Sequence, residues 1–307
     1  MSSVHVSTTS SPDVEASRKY TAARKRRHAL DLTLRLIVIG IAMIFALFPV
    51  IWIASASVNP NNSLVGQRLV PEHASLANYN ELLHSDVHPF LRWMWNSFKL
   101  ASISSVLSVL VSALSAYAFS RFRFRGRRSM LLTVFLVQIF PNSLSMVATF
   151  LLIQQIGEYI PSLGLNSHGG LILVYLGGAM GINTWLMKGY FDSIPRELDE
   201  SAMIDGASHW YTFWRIIMPL VRPVLAVVGV LSFVGTYGDY LFALLLVKDK
   251  DLYTLAVGMS IFIGDQFSQK WGVFAAGALL GAIPIVIIYL LLQDFIVSGL
   301  TQGAVKG

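Results

Sequence analysis

The stretch TLRLIVIGIAMIFALFPVIWIASAS (33–57) carries one charged side chain, Arg35, close to its start. A helix that crosses a bilayer takes about 20 mostly apolar residues. This run meets that length, and water offers few other homes for so long an apolar segment. The basic stretch before it, SRKYTAARKRRH (17–28), does not have the layout of a cleavable leader, because the apolar run is of full span length and has no evident small-residue cleavage site. Residues 1–29 therefore read as an irregular, positively charged tail held near a lipid surface rather than an arm for nucleic acid.

Working outward from 33–57, five further runs qualify, at about 97–120, 129–153, 168–187, 220–246 and 272–297. Composition agrees. Of 307 residues 54% are hydrophobic and 13% charged, where soluble domains carry about 25% charge. That leaves no room for a large soluble domain. There is no cysteine, so disulfides and thiolate metal sites are excluded. The expected fold is an all-α membrane protein of six transmembrane helices. Its domain plan is a basic tail (1–29), a membrane domain (30–297) and a short C-terminal tail (298–307).

Lysine and arginine orient the spans. With the N-terminus inside, all but six of the 23 basic residues fall on the inner side, many of them in the tail and in the loop RFRFRGRR (121–128). The outer six are Arg68, Arg92, Lys99, Lys248, Lys250 and Lys270. Both termini are then inside, and 58–91, 154–167 and 247–271 face outward. Pro49, Pro141, Pro223 and Pro284 punctuate the spans and predict kinks. Gly177/Gly181 and Gly277/Gly281 have the spacing that lets helices approach closely.

One inner segment, 193–219, is too polar to span. Pro195 lies near a helix start, and Glu197, Asp199 and Glu200 lie toward the positive end of its dipole. Asp205-Gly206 predicts a left-handed stop. A second helix then places Trp210, Phe213, Trp214 and Ile217 on one stripe. Two readings follow from the residues. The pair lies on lipid, drawn by its aromatics, or it projects as a knob into a soluble partner. Three carboxylates facing an anionic leaflet weigh against the first.

Glu200, Ala202, Gly206, Ile216 and Pro219 resemble, at matching spacing, the EAA signature of ABC-importer permeases: Glu-Ala-Ala, three residues, Gly, nine residues, Ile-x-Leu-Pro. Ser201 and Met218 depart from it by small changes. The outward LYTLAVGMSIF (252–262) and the terminal SGLTQGAVKG (298–307) are similar to the smaller permease of carbohydrate importers of the maltose/maltodextrin type. The chain departs at GTYGDYLFALLL (235–246), where Tyr237-Gly238 replaces the usual Trp-Asn before the acidic residue.

The resemblance implies a non-enzymatic permease subunit of a binding-protein-dependent sugar importer in a bacterial inner membrane, the sugar being maltose, maltodextrin or a related oligosaccharide such as trehalose. It implies a second permease, two copies of a cytoplasmic ATPase and an extracytoplasmic sugar-binding protein, with ATP and Mg held by the ATPase and no cofactor on this chain. The ATPase-coupling residues are then Glu200, Ser201, Ala202, Asp205, Gly206, Ala207 and Phe213. The tail that reaches between ATPase subunits comprises Gly299, Leu300, Thr301, Gly303, Lys306 and Gly307. Tyr253, Thr254, Gly258, Met259, Ser260 and Gln266 form the loop that meets the binding protein.

Gln138, Asn142, Asn183, Thr236 and Asp239 are polar side chains placed to line a path, though the sequence does not fix the sugar. No phosphate-binding Gly-x-x-x-x-Gly-Lys-Ser/Thr loop occurs, no metal-ligand run is present, and no nucleophile constellation supports an intramembrane enzyme. An ion-coupled secondary transporter is the alternative; such carriers bury charges for coupling, and Asp239 is its only candidate.

Overall fold

A computed structural model describes residues 12–63, 66–139, 141–264 and 269–304, with side chains from 30 to 295 apart from 142, 143, 179 and 180. The described residues form helices and turns and no strand. They divide into two units, 1–55 and 56–307.

The first unit belongs to α1 (Pro12–Ser57), which carries Pro49 inside it. Its part from Leu30 is long and apolar enough to cross a membrane. Ile44 and Phe45 are among its many exposed apolar side chains, as a helix that is hydrophobic all round requires lipid or other helices about it. The backbone of 12–29, expected to be irregular, continues this helix; residues 1–11 lie outside the described residues.

The second unit is built on α3 (Phe90–Arg121). It packs against α6 (His168–Asp192) and α10 (Arg222–Tyr237), and α10 packs in turn on α13 (Trp271–Ala304). Over the middle of α3 the buried face is small: Ala101, Ser104, Ser105, Ser108, Ser112, Ala113 and Ala116. Small side chains let helices approach closely where lipid gives no hydrophobic drive between them. Asn183 on α6 sits in this seam, donating to Ser108 Oγ at 3.1 Å and to Ser232 Oγ of α10 at 2.9 Å.

Among the described residues three helices are long and apolar enough to cross a membrane, and up to six spans result if each bent pair counts as one. The third expected span is two helices, α4 (Arg127–Ile139) and α5 (Asn142–Tyr159), set at 108° where Pro141 removes a backbone donor. The fourth bends by 49° between 178 and 181. The fifth is set off sharply at its start and broken near its end. The helical stretch from His209 to Leu220 meets α10 at 81° beside Pro223. Beyond Tyr237 the chain turns and resumes as α11 (Leu241–Leu246).

Two short helices complete the unit. They are α2 (Ala77–Leu83) and α12 (Leu255–Gly264), and both pack with α13 around the N-terminal end of α3. Their core holds Leu82, Phe90, Trp93, Met259 and Phe262. A Cβ on Gly258 would lie 2.1 Å from the Trp93 ring. One on Gly277 would meet Met259 Cε at 2.3 Å, and one on Gly281 would meet Leu255 at 2.5 Å. The Gly277/Gly281 pair therefore marks a real close approach. Of the other pair, Gly181 faces the Gln138 side chain and Gly177 faces open space.

Asparagines bind the connections here. Asn78 Nδ2 donates to the Ser57 and Asn59 carbonyls, both at 2.9 Å. Asn96 Nδ2 reaches the Asp251 and Tyr253 carbonyls at 2.8 and 3.0 Å. Asn62 and Asn166 hold positive φ, 51° and 53°, which asparagine tolerates better than most residues.

Candidate functional site

At the C-terminal end of α3 the chain builds a compact polar element. α7 (Glu197–Ile204) opens with Glu197, Asp199 and Glu200 in its first turn. It closes on Gly206 at φ +83°. The Gly206 N–H donates to the Met203 carbonyl at 3.0 Å, and the Ala207 N–H to the Ala202 carbonyl at 2.9 Å. This paired closure satisfies the last carbonyls of the helix and needs a left-handed residue. Ser208 starts the next helix, its Oγ accepting from the Tyr211 N–H at 3.2 Å.

That helix begins as α8 (His209–Tyr211), widens to a π stretch over Thr212–Ile217, and ends as α9 (Met218–Leu220). The widened turn changes the expected stripe. Phe213 and Ile217, four apart, are buried, whereas Trp210 and Trp214 are exposed. Phe213 packs on Tyr117 of α3 with ring centroids 5.1 Å apart.

The element is anchored by charge. Arg121 Nε lies 2.9 Å from Asp199 Oδ2, and each side chain is 6% exposed. Tyr117 Oη donates to the other Asp199 oxygen at 3.4 Å. Arg121 also donates to the Ile194 carbonyl at 3.2 Å, and Arg196 to the Ser120 carbonyl at 2.8 Å. Ser120 Oγ donates to Asp192 at 2.6 Å. Two long side chains and a hydroxyl thus join the end of α3 to the start of the element. The sequence reading used Arg121 only as an inner charge and Asp199 only for its helix dipole. They are far apart in the chain, and no local pattern links them.

The coupling candidates divide by burial. Glu200, Ser201, Asp205 and Gly206 are exposed, Ala207 is half-buried, and Ala202 and Phe213 are buried supports. The exposed tip also includes Met203 and Ile204, the latter 85% exposed. An apolar side chain so bare, flanked by Glu200 and Asp205, has the make-up of a protein contact.

The other candidates are scattered. Thr254, Gly258 and Met259 are buried, while Tyr253 and Ser260 are half-buried. Leu255 N–H donates to Ser97 Oγ at 2.7 Å, locking the start of α12 onto α3. The 252–262 stretch is thus packed inside as a short apolar helix, not displayed as a loop. Gly264 at the end of α12 and Gln269 and Lys270 after it are exposed. Gln266 lies outside the described residues, as do Lys306 and Gly307. Gly299, Leu300, Thr301 and Gly303 fall in the last turns of α13, where backbone alone is described.

The path candidates do not converge. Gln138 lines a cavity of about 660 Å³ with Thr133, Ser145 and Thr149, its amide donating to the Gly178 carbonyl at 3.2 Å. Asn183 is used up between helices. Thr236 is half-buried, and the side chain of Asn142 lies outside the described ones. Asp239 Oδ1 accepts from Tyr175 Oη at 2.9 Å and from the Ala243 N–H at 3.1 Å; it holds the start of α11. Tyr175 of α6 is thus its side-chain partner. No group of three or more His, Asp or Glu able to hold a metal occurs among the described residues.

His88, just before α3, is half-buried against the core at the N-terminal end of that helix. Its ring meets Phe262 edge-on at 5.1 Å and lies 6.1 Å from Trp93. Burial, then the charges of Lys250 and Lys270, push its pKa below the ordinary 6.5, with Glu81 opposing.

Apolar helices broken by prolines, with an anchored polar knob at one end, have the make-up of a multi-pass membrane protein. The chain belongs to the family of binding-protein-dependent transport system inner membrane components, which it matches over residues 108–302.

It is 44% identical over 272 residues to the maltose/maltodextrin transport system permease protein MalG of Vibrio vulnificus, covering 85% of this chain and 91% of the relative. It is 40% identical over 287 residues to the galactooligosaccharides transport system permease protein GanQ of Bacillus subtilis, covering 93% and 99%. Among solved structures it is similar to a bacterial ABC transporter that imports the acidic polysaccharide alginate, with 25% identity, a TM-score of 0.70, and 88% of this chain and 98% of that one covered.

Proposed function

We propose that this chain is the smaller permease of a binding-protein-dependent ABC importer that moves an oligosaccharide of the maltose/maltodextrin type across a bacterial inner membrane. It crosses six times, with both termini in the cytoplasm. It pairs with a second permease, and two ATPase subunits carrying ATP and Mg dock beneath. The element 193–219 couples their closure to the spans. The tail 298–307 reaches between the ATPase subunits, and the outward segment 247–271 meets the sugar-binding protein. Relatives named for maltodextrins and galactooligosaccharides support an oligosaccharide rather than one fixed sugar.

The observation that carries the coupling role is the buried Arg121–Asp199 pair beneath an exposed Glu200–Asp205 tip. A contact that transmits movement needs a rigid base, and this pair fixes the tip to α3, the helix on which the second unit is built. The ion-coupled alternative rested on Asp239, whose carboxylate is committed to Tyr175 and α11. The test is sugar uptake by the reconstituted four-subunit complex. Uptake of maltotriose that requires ATP and the binding protein supports the reading. Uptake driven by an ion gradient without ATP overturns it.

A further inference from the structure

The loop RFRFRGRR was read only for the sign of its charge. In the fold it does more. Gly126 takes φ +86° and turns the chain into α4, so that Arg127, Arg128 and Ser129 border a cavity of about 540 Å³ whose far side is Lys188 of α6. Phe124 and Leu131 supply apolar wall. One carboxylate is near: Lys188 pairs with Asp192. Arg127 also donates to the Phe122 carbonyl at 3.4 Å. Three cations against one carboxylate leave the cavity with excess positive charge, matched to a phosphodiester.

The surroundings decide between a free phosphate and a lipid. Directly beyond the cavity α4 presents Met130, Leu132, Phe135 and Leu136, all exposed and apolar. Phe122 and Phe124, alternating with arginines, are exposed on the other flank. A soluble phosphate has no use for such a strip, whereas acyl chains do. Basic pockets at the ends of spanning helices are places where anionic head groups lodge.

We propose that this cavity is a binding site for an anionic phospholipid, its phosphate among Arg127, Arg128 and Lys188 and its chains along α4. The site adjoins the coupling element, since Phe122 meets His209 edge-on at 5.0 Å, so an occupying lipid stiffens the base on which that element stands.

The test is lipid retention by the intact complex, exchanged into mixed micelles of phosphatidylcholine and phosphatidylglycerol and quantified by mass spectrometry. Phosphatidylglycerol is expected to stay bound in preference to phosphatidylcholine. Arg127→Gln with Arg128→Gln should weaken its retention about thirtyfold. Arg123→Gln with Arg125→Gln, which removes equal charge outside the cavity, should change it little. Equal retention of the two lipids by the wild-type complex overturns the proposal without any variant. So does an equal loss from the control pair, which would mean surface charge alone. Displacement by inorganic phosphate as readily as by lipid overturns it too. Because transport is not the readout, the outcome is independent of the sugar reading.

Discussion

Asp199 and Glu200 are neighbours of like charge with opposite fates. Asp199 turns inward to Arg121 and Tyr117, and Glu200 turns to solvent. Removing one partner of a buried ion pair leaves an uncompensated charge and costs about 3–5 kcal/mol, whereas an apolar pair of similar volume is often tolerated. Asp199→Asn should therefore lower the melting temperature of the purified complex and abolish uptake. Arg121→Met with Asp199→Leu should recover much of the stability. Glu200→Gln should leave stability unchanged and reduce only the stimulation of the ATPase. Equal destabilisation by Asp199→Asn and Glu200→Gln would defeat this division of roles. Gly206 is a different kind of case. A Cβ there touches nothing within 4 Å, so substitution acts through the backbone alone. Left-handed geometry costs roughly 1–2 kcal/mol for most residues and less for asparagine. Uptake should rank Gly206→Asn above Gly206→Ala above Gly206→Val; normal uptake in an assembled Gly206→Val complex would show that the turn is dispensable.

At the scale of elements, the core at the N-terminal end of α3 combines close packing with a titrating group. Gly258 faces the rigid ring of Trp93, while Gly277 faces the flexible end of Met259. Gly258→Ala should thus cost about 1–3 kcal/mol and Gly277→Ala clearly less, read as thermal stability of the complex; the reverse order would contradict this packing. His88 makes the same core sensitive to acid. With its folded pKa held below 6.5, the unfolded chain binds the proton more readily, so stability is full above pH 6.5 and is lost as pH falls from there toward the folded pKa. Melting temperature should decline across that window and stay flatter in His88→Asn. Parallel curves would assign the titration elsewhere. These elements are unevenly legible in the sequence. The closure at Gly206 was legible because its geometry is local. The break of the fifth span after Tyr237 was not, because an apolar run keeps its hydropathy through a bend, whereas the bend beside Pro223 is one the proline predicts. Nor was the burial of α12 legible: an apolar segment too short to cross resembles an interfacial loop until its partners, Trp93 and the glycines of α13, are known.

For the whole molecule, α3 joins two working ends. It is 32 residues long, about 48 Å at 1.5 Å per residue. Arg121 at its C-terminal end holds the coupling element, and Trp93 and Asn96 near its N-terminal end hold the connection into α12. The positive-inside reading puts these ends on opposite sides of the membrane, a global property that charge bias made legible while the contacts at each end stayed hidden. The absence of cysteine allows a direct check, because any introduced thiol is the only one on this chain. Ile204→Cys stands on the exposed tip, and Gln269→Cys on the exposed turn after α12. In intact cells with their outer barrier permeabilised, a membrane-impermeant maleimide should label Gln269→Cys and spare Ile204→Cys. In inside-out vesicles Ile204→Cys should react only after the ATPase subunits are stripped away, the outcome that the proposed docking on this tip requires. Labelling of Ile204→Cys from outside would invert the topology. Labelling in vesicles at the same rate with and without the ATPase would keep the topology and remove the docking role from the element.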